Sequence, residues 1–521
     1  MSISRTIDET SKVTLLYTDA SNTLSVGGGN SMSFTAVVIS RKGKPGVVHK
    51  LNADNWELAL GKPFHMREGI HAEGMRHLGE AVTGGVGSVV RVMPSNAAYP
   101  ILTIGAESGG KNAVAKRTAA YGAEPVLTGD ESIAIYMIDG DNENERSITI
   151  EAASTDEYGA GFYVLSLTET NKDGVVTELE SHVVSLEIGA VGVNNQTAFI
   201  EDKLVAVSPR LRAITDVSKL NTFTAIDEAT FEGGTSGDYS TITADDYKAA
   251  IALIKAEKVK FQAVISAGCY DDAVLKELKA LADSNNVSLY YDVEPNLSFA
   301  QAVTRQVSLT MNSEFACAYH FPYLASDPYY GGQALWGLSG FVFAAKAKGV
   351  SLKAPTGGWH YTPAGESRAT ISTRSNMVLH ANAGECDEVA FVNARLNKLG
   401  LNSAGQVMID DALTTRARKD DLRFENTASV SNAIGRDFVE LATTLKHSPD
   451  DDTLKGLNKG LTRIFDGYVS SGCLVPPSDP VNGASPYTFE IKQVESDLWE
   501  VSWSISVSGS ARRFVGKPKL F

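Results

Sequence analysis

At 521 residues the chain is too long for a single hydrophobic core and should divide into about three or four domains. Its 43% hydrophobic and 21% charged residues describe a folded globular protein and exclude a disordered one. A formal net charge of −15 disfavours nucleic acid or an anionic membrane as the main partner, because phosphate binding needs a concentrated basic surface.

Residues 1–30 read as an N-terminal arm and linker. Lys12-Val-Thr-Leu-Leu-Tyr-Thr-Asp19, with Val13, Leu15 and Tyr17, reads as one strand, and Gly27-Gly-Gly-Asn30 is a flexible break. The opening residues hold no apolar core for a secretory signal, and the longest apolar run, 334–345, is about half of a membrane span. A protein kept in a cytoplasm, or in something assembled there, without membrane insertion, is the expectation. Cys269, Cys317, Cys386 and Cys473 lie far apart, with no zinc or redox spacing, and read as reduced core thiols.

Residues 31–95 form a first α/β unit, with strands at 34–40 and 88–93 and helices at 55–60 and 70–81. Residues 96–215 change texture: short β-type runs at 133–137, 147–151, 161–167 and 183–188, separated by polar turns, imply an inserted β-rich domain of sandwich type. Residues 216–410 alternate helix and strand. Thr243 caps a helix whose apolar stripe is Tyr247, Ala250, Ile251 and Ile254. Apolar strands at 261–267, 287–293 and 315–321 are joined by helices at 272–283 and 298–309. Strands apolar on both faces and joined by helices imply a parallel sheet covered on both sides. Residues 385–400 add a short α/β piece. Residues 411–509 form a C-terminal assembly domain, with helices at 427–445 and 452–471 followed by a hairpin, and 510–521 a C-terminal arm. The fold class is α/β and β multidomain: a parallel α/β sheet core, an inserted β-rich domain, and a C-terminal α+β region with extended terminal arms.

Enzymatic signals are sparse. Asp292 and Glu294 sit at a strand's C-terminal end, where an open α/β sheet binds ligands, and His320 with Cys317 could supply a base and nucleophile. No nucleophile elbow or metal-ligand set joins them. Thr83-Gly-Gly-Val-Gly-Ser88 lacks the Lys-Ser/Thr ending of a phosphate loop and follows a helix instead of preceding one, so it reads as a helix C-cap and turn. His65, His71 and His77, six apart, do not share a helical face and do not suggest a metal site. No cofactor and no metal are expected.

The C-terminal region is more informative. Leu454, Leu457, Leu461, Phe465 and Tyr468 form an apolar stripe, and Lys455, Lys459 and Arg463 fall beside it at i, i+4 and i+8 as a basic stripe suited to an acidic partner. Gly456 and Gly460 weaken such a helix and point to close approach by a neighbouring element. In the hairpin, Trp499, Val501, Trp503, Ile505 and Val507 alternate with polar residues, as do Tyr487, Phe489 and Ile491. A lone hairpin is marginal in water and must pack on something. Beyond it, Arg512-Arg-Phe-Val-Gly-Lys-Pro-Lys-Leu-Phe521 is a basic arm carrying Phe514, Val515, Leu520 and Phe521. It either folds back on its own domain or docks on a neighbour, with the division expected near Gly509-Ser510.

The order of these blocks resembles the tail sheath proteins of contractile bacteriophages. The motifs are Thr35-Ala-Val-Val-Ile-Ser-Arg-Lys-Gly-Lys-Pro-Gly46, Leu60-Gly61, Gly85-Val-Gly-Ser-Val-Val-Arg-Val92, and Phe231-Glu-Gly-Gly-Thr-Ser-Gly-Asp238 ahead of Thr243 to Tyr247. Tyr319-His-Phe-Pro-Tyr323 replaces the family's Trp with Tyr, and Thr414-Thr-Arg-Ala-Arg418 is similar to the start of its assembly region. The resemblance runs from about 34 to 521 and leaves 96–215 unmatched. It implies a non-enzymatic structural subunit that polymerises as stacked six-fold rings around an inner tail tube and contracts to drive the tube through a host envelope. It further implies an outward-facing 96–215 insertion and strand exchange between subunits through Val13, Leu15, Tyr17, Phe514, Val515, Leu520 and Phe521. Lys455, Lys459 and Arg463 would face the tube. The implied partners are its own copies, the tube protein, and baseplate and tail terminator proteins, in a virion tail assembled in the host cytoplasm. Two alternatives stay open: the sheath of a phage-derived injection system or bacteriocin, and an α/β enzyme with its site near Asp292, Glu294 and His320.

Overall fold

The computed structural model describes residues 32–108, 111–219, 223–224, 226–353 and 356–512. The expected arm strand at Val13, Leu15 and Tyr17 and the arm residues Phe514, Val515, Leu520 and Phe521 lie outside the described residues.

The centre is a seven-stranded sheet, ordered Leu396–Asn397, Ala316–His320, Ser288–Val293, Ala263–Ile265, Ser33–Ile39, Val86–Val92 and Val48–Leu51. Neighbouring strands are parallel except the edge strand Val48–Leu51, which runs antiparallel to Val86–Val92. Period-2 alternation gives the sheet two apolar faces. Phe34, Ala36, Val38 and Tyr290 belong to one core with Leu78, Phe341 and Phe343, from the helices Gly74–Ala81 and Ser339–Ser351. Val37, Ile39 and Tyr291 belong to the other, with Ile251, Leu278 and Ala302 from the helices Ala244–Ala256, Asp272–Asn285 and Phe299–Ser308. Thr243 caps the first of these in a capping box with Asp246, and Ala250, Ile251 and Ile254 are its buried stripe.

The helix expected at 70–81 is interrupted. A 3-10 turn, Ile70–Ala72, precedes the α-helix Gly74–Ala81. The break lies where Glu73 accepts hydrogen bonds from Tyr270 Oη (2.6 Å) and Gly337 N (3.2 Å), and where Gly74 packs against the Ala267 carbonyl. Gly84 and Gly85 then turn the chain into Val86–Val92. A side chain at Gly84 would collide with Ala344 of the facing helix, so close packing of two helices explains this glycine-rich turn.

The β-rich part is a pair of four-stranded antiparallel sheets. One runs Leu211–Thr215, Glu131–Met137, Ala98–Ser108, Lys111–Ala120; the other runs Ile226–Thr230, Glu145–Ala152, Phe162–Thr170, Val176–Ser185. Leu102, Ile133, Ile135, Ile148, Ile150, Leu165 and Leu167 fill a shared core between them. Ile226–Thr230 pairs with Glu145–Ala152, so antiparallel pairing continues past residue 215. The strand expected at 183–188 instead spans Val176–Ser185; Val176, Thr177 and Glu178 at its start are exposed, which hides it from the apolar pattern, while Leu179 packs against the shared core. Arg91 ties this part to the central sheet. Buried, it donates to the carbonyls of Ser40 (3.1 Å), Gly43 (2.9 Å) and Gly140 (2.7 Å), so one guanidinium holds the loop after Ile39 against a turn of the β-rich part.

Towards the C-terminus two helices, Glu425–Leu445 and Asp450–Ser470, pack antiparallel, with Leu445 against Gly456 and Leu441 against Gly460. The first helix is joined to the centre by a buried ion pair. Lys346 Nζ lies 3.1 Å from the Glu425 carboxylate and also donates to the carbonyls of Trp359 (2.7 Å) and Tyr361 (2.9 Å), while Tyr290 Oη donates to Glu425 (2.9 Å). Burial pushes the Lys346 pKa down and the Glu425 pKa up, and each partner opposes the shift of the other. Removing one partner should therefore be worse than removing both. Lys346→Met is expected to cost about 3–5 kcal/mol in urea unfolding. Lys346→Met with Glu425→Gln should recover about half of that, since no uncompensated charge remains. A single substitution costing under about 1 kcal/mol would show that the pair does not secure the helix.

Candidate assembly surface

The residues with enzymatic character are occupied separately. Asp292 is buried and its carboxylate accepts from Leu338 N (2.6 Å) and Ser339 N (2.9 Å), capping the helix Ser339–Ser351. Glu294 accepts from Arg305 Nε at 3.0 Å, and the same guanidinium reaches Asp272 at 2.6 Å. His320 is buried between Phe299 and Phe391, with ring centroids at 5.8 and 6.4 Å. Burial pushes its pKa down to about 4 and pushes the Cys317 thiol well above its ordinary value, against thiolate formation. Asp292, Glu294 and His320 thus serve as a helix cap, a surface ion pair and an aromatic contact. His65 accepts from Arg67 N within the turn Met66–Glu68, and His77 Nδ1 lies 3.0 Å from Ser339 Oγ. Among the described residues no group of three or more His, Cys, Asp or Glu could hold a metal ion.

The C-terminal hairpin, Tyr487–Glu495 with Leu498–Ile505, is built as an unfinished sheet. Its inner face carries Tyr487, Phe489, Ile491, Trp499, Val501, Trp503 and Ile505, which pack on Phe465, Leu461 and Ile434 of the helix pair. Phe465 stacks on Tyr487 and Phe489, with centroids at 4.8 and 5.8 Å. Those seven inner residues are all only partly buried, because two strands are too narrow to cover two helices. Thr488, Glu490, Glu500, Ser502 and Ser504 are exposed on the other face.

The register also fixes the edges. Ser506 N donates to Pro486 O (2.9 Å), and Tyr487 pairs with Ile505, Phe489 with Trp503 and Ile491 with Val501. Antiparallel pairing alternates, so the last three pairs turn their N–H and C=O groups away from the hairpin. Among the described residues neither long edge of the hairpin has a paired strand. A single bridge, Leu474 to Val507, closes one corner.

On the helix Asp450–Ser470 the buried positions are Thr453, Leu457, Leu461, Phe465 and Tyr468. Leu454, expected in the apolar stripe, is exposed, because Thr453 takes the inward position and donates to Ser448 O. Lys455, Lys459 and Arg463 are exposed and share one side of the helix. None forms an ion pair among the described residues. Lys459 and Arg463 line a shallow groove with Asn458, Thr462 and Asp466.

No protein-family model matches the chain, and no curated protein does. Among solved structures it is similar to a sheath tail protein from Desulfitobacterium hafniense, at 13% identity and a TM-score of 0.49, over 92% of this chain and 97% of that one. It is also similar to the sheath complex of an extracellular contractile injection system in the contracted state (13% identity, TM-score 0.42, 53% of this chain and 75% of that one). A third is the helical sheath of the anti-feeding prophage in the contracted state (14% identity, TM-score 0.42, 56% and 78%).

The structure ties the chain to its own domain beyond the division expected at Gly509-Ser510. Ser508 N donates to Cys473 O (2.8 Å), and Asn426 donates to Ser508 O (3.3 Å). Arg512 grips the buried Asp411 carboxylate through two nitrogens and lies over the Phe424 ring. The chain is therefore tied to its own domain through Arg512, beyond the Gly509-Ser510 division. Sequence reasoning missed this anchor because Arg512 reads as part of a uniform basic arm, and Asp411 lies 101 positions away.

A titration separates packing from chemistry at His320. Both folded and unfolded forms are neutral at high pH. As pH falls below about 6.5 the unfolded imidazole takes up a proton, while the folded one resists until about 4. This contribution is present above pH 6.5 and is lost, at up to about 1.4 kcal/mol per pH unit, between those values. His320→Leu should flatten that share of the pH dependence in urea unfolding; an unchanged slope would exclude His320 as its source.

Proposed function

We propose that this chain is the structural subunit of a contractile tail sheath, stacking in six-fold rings around an inner tube, as its sequence motifs imply. The observation that carries the reading is the hairpin, whose two long edges have no paired strand among the described residues. Extended segments of neighbouring subunits complete it, the N-terminal arm around Val13, Leu15 and Tyr17 on one edge and residues 513–521 on the other. Each added main-chain hydrogen bond contributes about 1 kcal/mol net, and an added strand also covers the half-buried aromatic face. Strand exchange of this kind keeps subunits linked while the domains between them change packing, and contraction is the passage from one packing to another of lower free energy.

In this reading Lys455, Lys459 and Arg463 face the tube and bind an acidic surface on it. Further partners are baseplate and tail terminator proteins, and the assembled object is a virion tail. The chain acts by assembly and not by catalysis, which fits the separate structural engagement of Asp292, Glu294 and His320.

Negative-stain microscopy of the full chain at high concentration should show tubular or ring-like polymers; only monodisperse monomers under every salt condition tried would overturn the reading. Deleting residues 513–521 should leave a folded monomer that no longer polymerises. Reversing Lys455, Lys459 and Arg463 to Glu should weaken tube attachment severalfold while sheath-only polymers still form, the difference being read by co-sedimentation with tube protein; normal attachment would remove the tube-facing assignment.

A further inference from the structure

We propose that the groove beside the helix Glu388–Ala394 is a docking site for this chain's own residues 513–521, holding them on the subunit until a neighbour takes them up. The second half of that statement rests on the assembly reading above; the docking does not.

The groove is a cavity of about 350 Å³ whose lining includes Val389, Val392, Asp410 and Asp411. Val389 is 70% exposed and Val392 42%, an apolar pair left uncovered on a short helix whose Phe391 and Ala394 are buried. Arg512 also lines the cavity, and its guanidinium is the charged partner of Asp411. A buried carboxylate is costly unless paired, so the root of the arm is fixed at this place by a real energetic need. Any segment continuing from Arg512 consequently sets out from the groove.

The residues after Arg512 match the lining. They read Arg513-Phe-Val-Gly-Lys-Pro-Lys-Leu-Phe521. At about 3.3 Å per extended residue, Phe514 and Val515 fall within roughly 10 Å of Arg512. That is also the length of a seven-residue helix such as Glu388–Ala394, at about 1.5 Å per residue. Two apolar residues are thus delivered to two exposed valines. Charge agrees as well. The groove's three carboxylates, Glu388, Asp410 and Asp411, face two cations: Lys398, shared between Glu388 (3.1 Å) and Asp410 (2.9 Å), and Arg512 on Asp411, which leaves a net charge of −1 in the lining. The segment brings Arg513, Lys517 and Lys519. Occupancy by the same chain is favoured over a second copy because the Arg512–Asp411 pair makes the encounter intramolecular, at high effective concentration. A docked segment is withheld from a neighbour's hairpin edge, so docking raises the concentration at which subunits begin to join.

The test uses the full chain, diluted until sedimentation shows monomers, with Phe514 replaced by a photo-crosslinking benzoylphenylalanine. Crosslinks are expected within one chain, to the peptide spanning 388–394. Val389→Gln with Val392→Gln, at exposed positions outside the core, removes the apolar pair without adding charge and should lower that yield and speed tryptic cleavage after Arg513 and Lys519 by at least about tenfold, since cleavage follows the open population. Circular dichroism of the variant confirms its fold. Crosslinks elsewhere on the chain, crosslinks only between chains, or cleavage unaffected by the substitutions would each overturn the proposal. These readouts come from monomers and stand apart from the microscopy that tests polymerisation.

Discussion

A two-stranded antiparallel sheet leaves every second residue's N–H and C=O pointing away from its partner strand, and no rearrangement within the hairpin can satisfy them. In this chain that constraint falls on Tyr487, Phe489 and Ile491 and on Val501, Trp503 and Ile505. Water can solvate these groups, but it cannot also cover the aromatic face beneath them. An added strand does both. The hairpin is therefore stable enough to fold on Phe465 and incomplete enough to accept partners, and its width sets that balance. Its outer face carries Glu490, Lys492 and Glu500, charges that discourage indiscriminate pairing of exposed edges.

In the proposed assembly, a surface that accepts load would have to be joined firmly to what it moves. The path here is short and buried. The hairpin rests on the helix pair, and the first helix enters the core at Glu425, held by Lys346 and Tyr290. Further along, Arg436 stacks over Trp359 at 4.8 Å. Lys346 belongs to the helix that Asp292 caps, and Asp292 ends a central strand. Polar groups that look catalytic in isolation thus form the connection between the accepting hairpin and the parallel sheet. Burying so many charged groups costs desolvation, and their geometry specifies one arrangement of helix against sheet.

The central architecture was legible because its signals are local. The both-face apolar runs around Val37, Val264 and Tyr291 announce buried parallel strands, and Thr243 with Asp246 announces a helix start. The β-rich part was legible only in its inner strands. Ala98–Ser108 and Lys111–Ala120 escaped notice because Pro100 and Gly105 interrupt the pattern and the second strand carries Lys116 and Arg117 on a solvated edge. At the candidate surface the alternation gave the hairpin and its inner face, and the i, i+4, i+8 spacing gave the basic stripe. The hidden features all depend on pairing between distant positions: Arg512 with Asp411, Lys346 with Glu425, and the outward-facing edges of the hairpin, since only register shows which main-chain groups turn away from the partner strand.

Charge is distributed in a way that suits stacking. Residues 96–230 hold 21 acidic and nine basic side chains, a net of −12 out of the chain's −15, leaving about −3 for everything else. Identical subunits packed side by side repel in proportion to the charge brought together, and the repulsion is screened over about 8 Å at physiological ionic strength. Concentrating the negative charge on a part joined to the core through Arg91 keeps the remaining surface close to neutral. There, short-range contacts such as strand addition can decide the packing. Residues 411–509 still carry a net of −5, with Lys455, Lys459 and Arg463 counted, so these three stand out as a local positive stripe on an acidic domain.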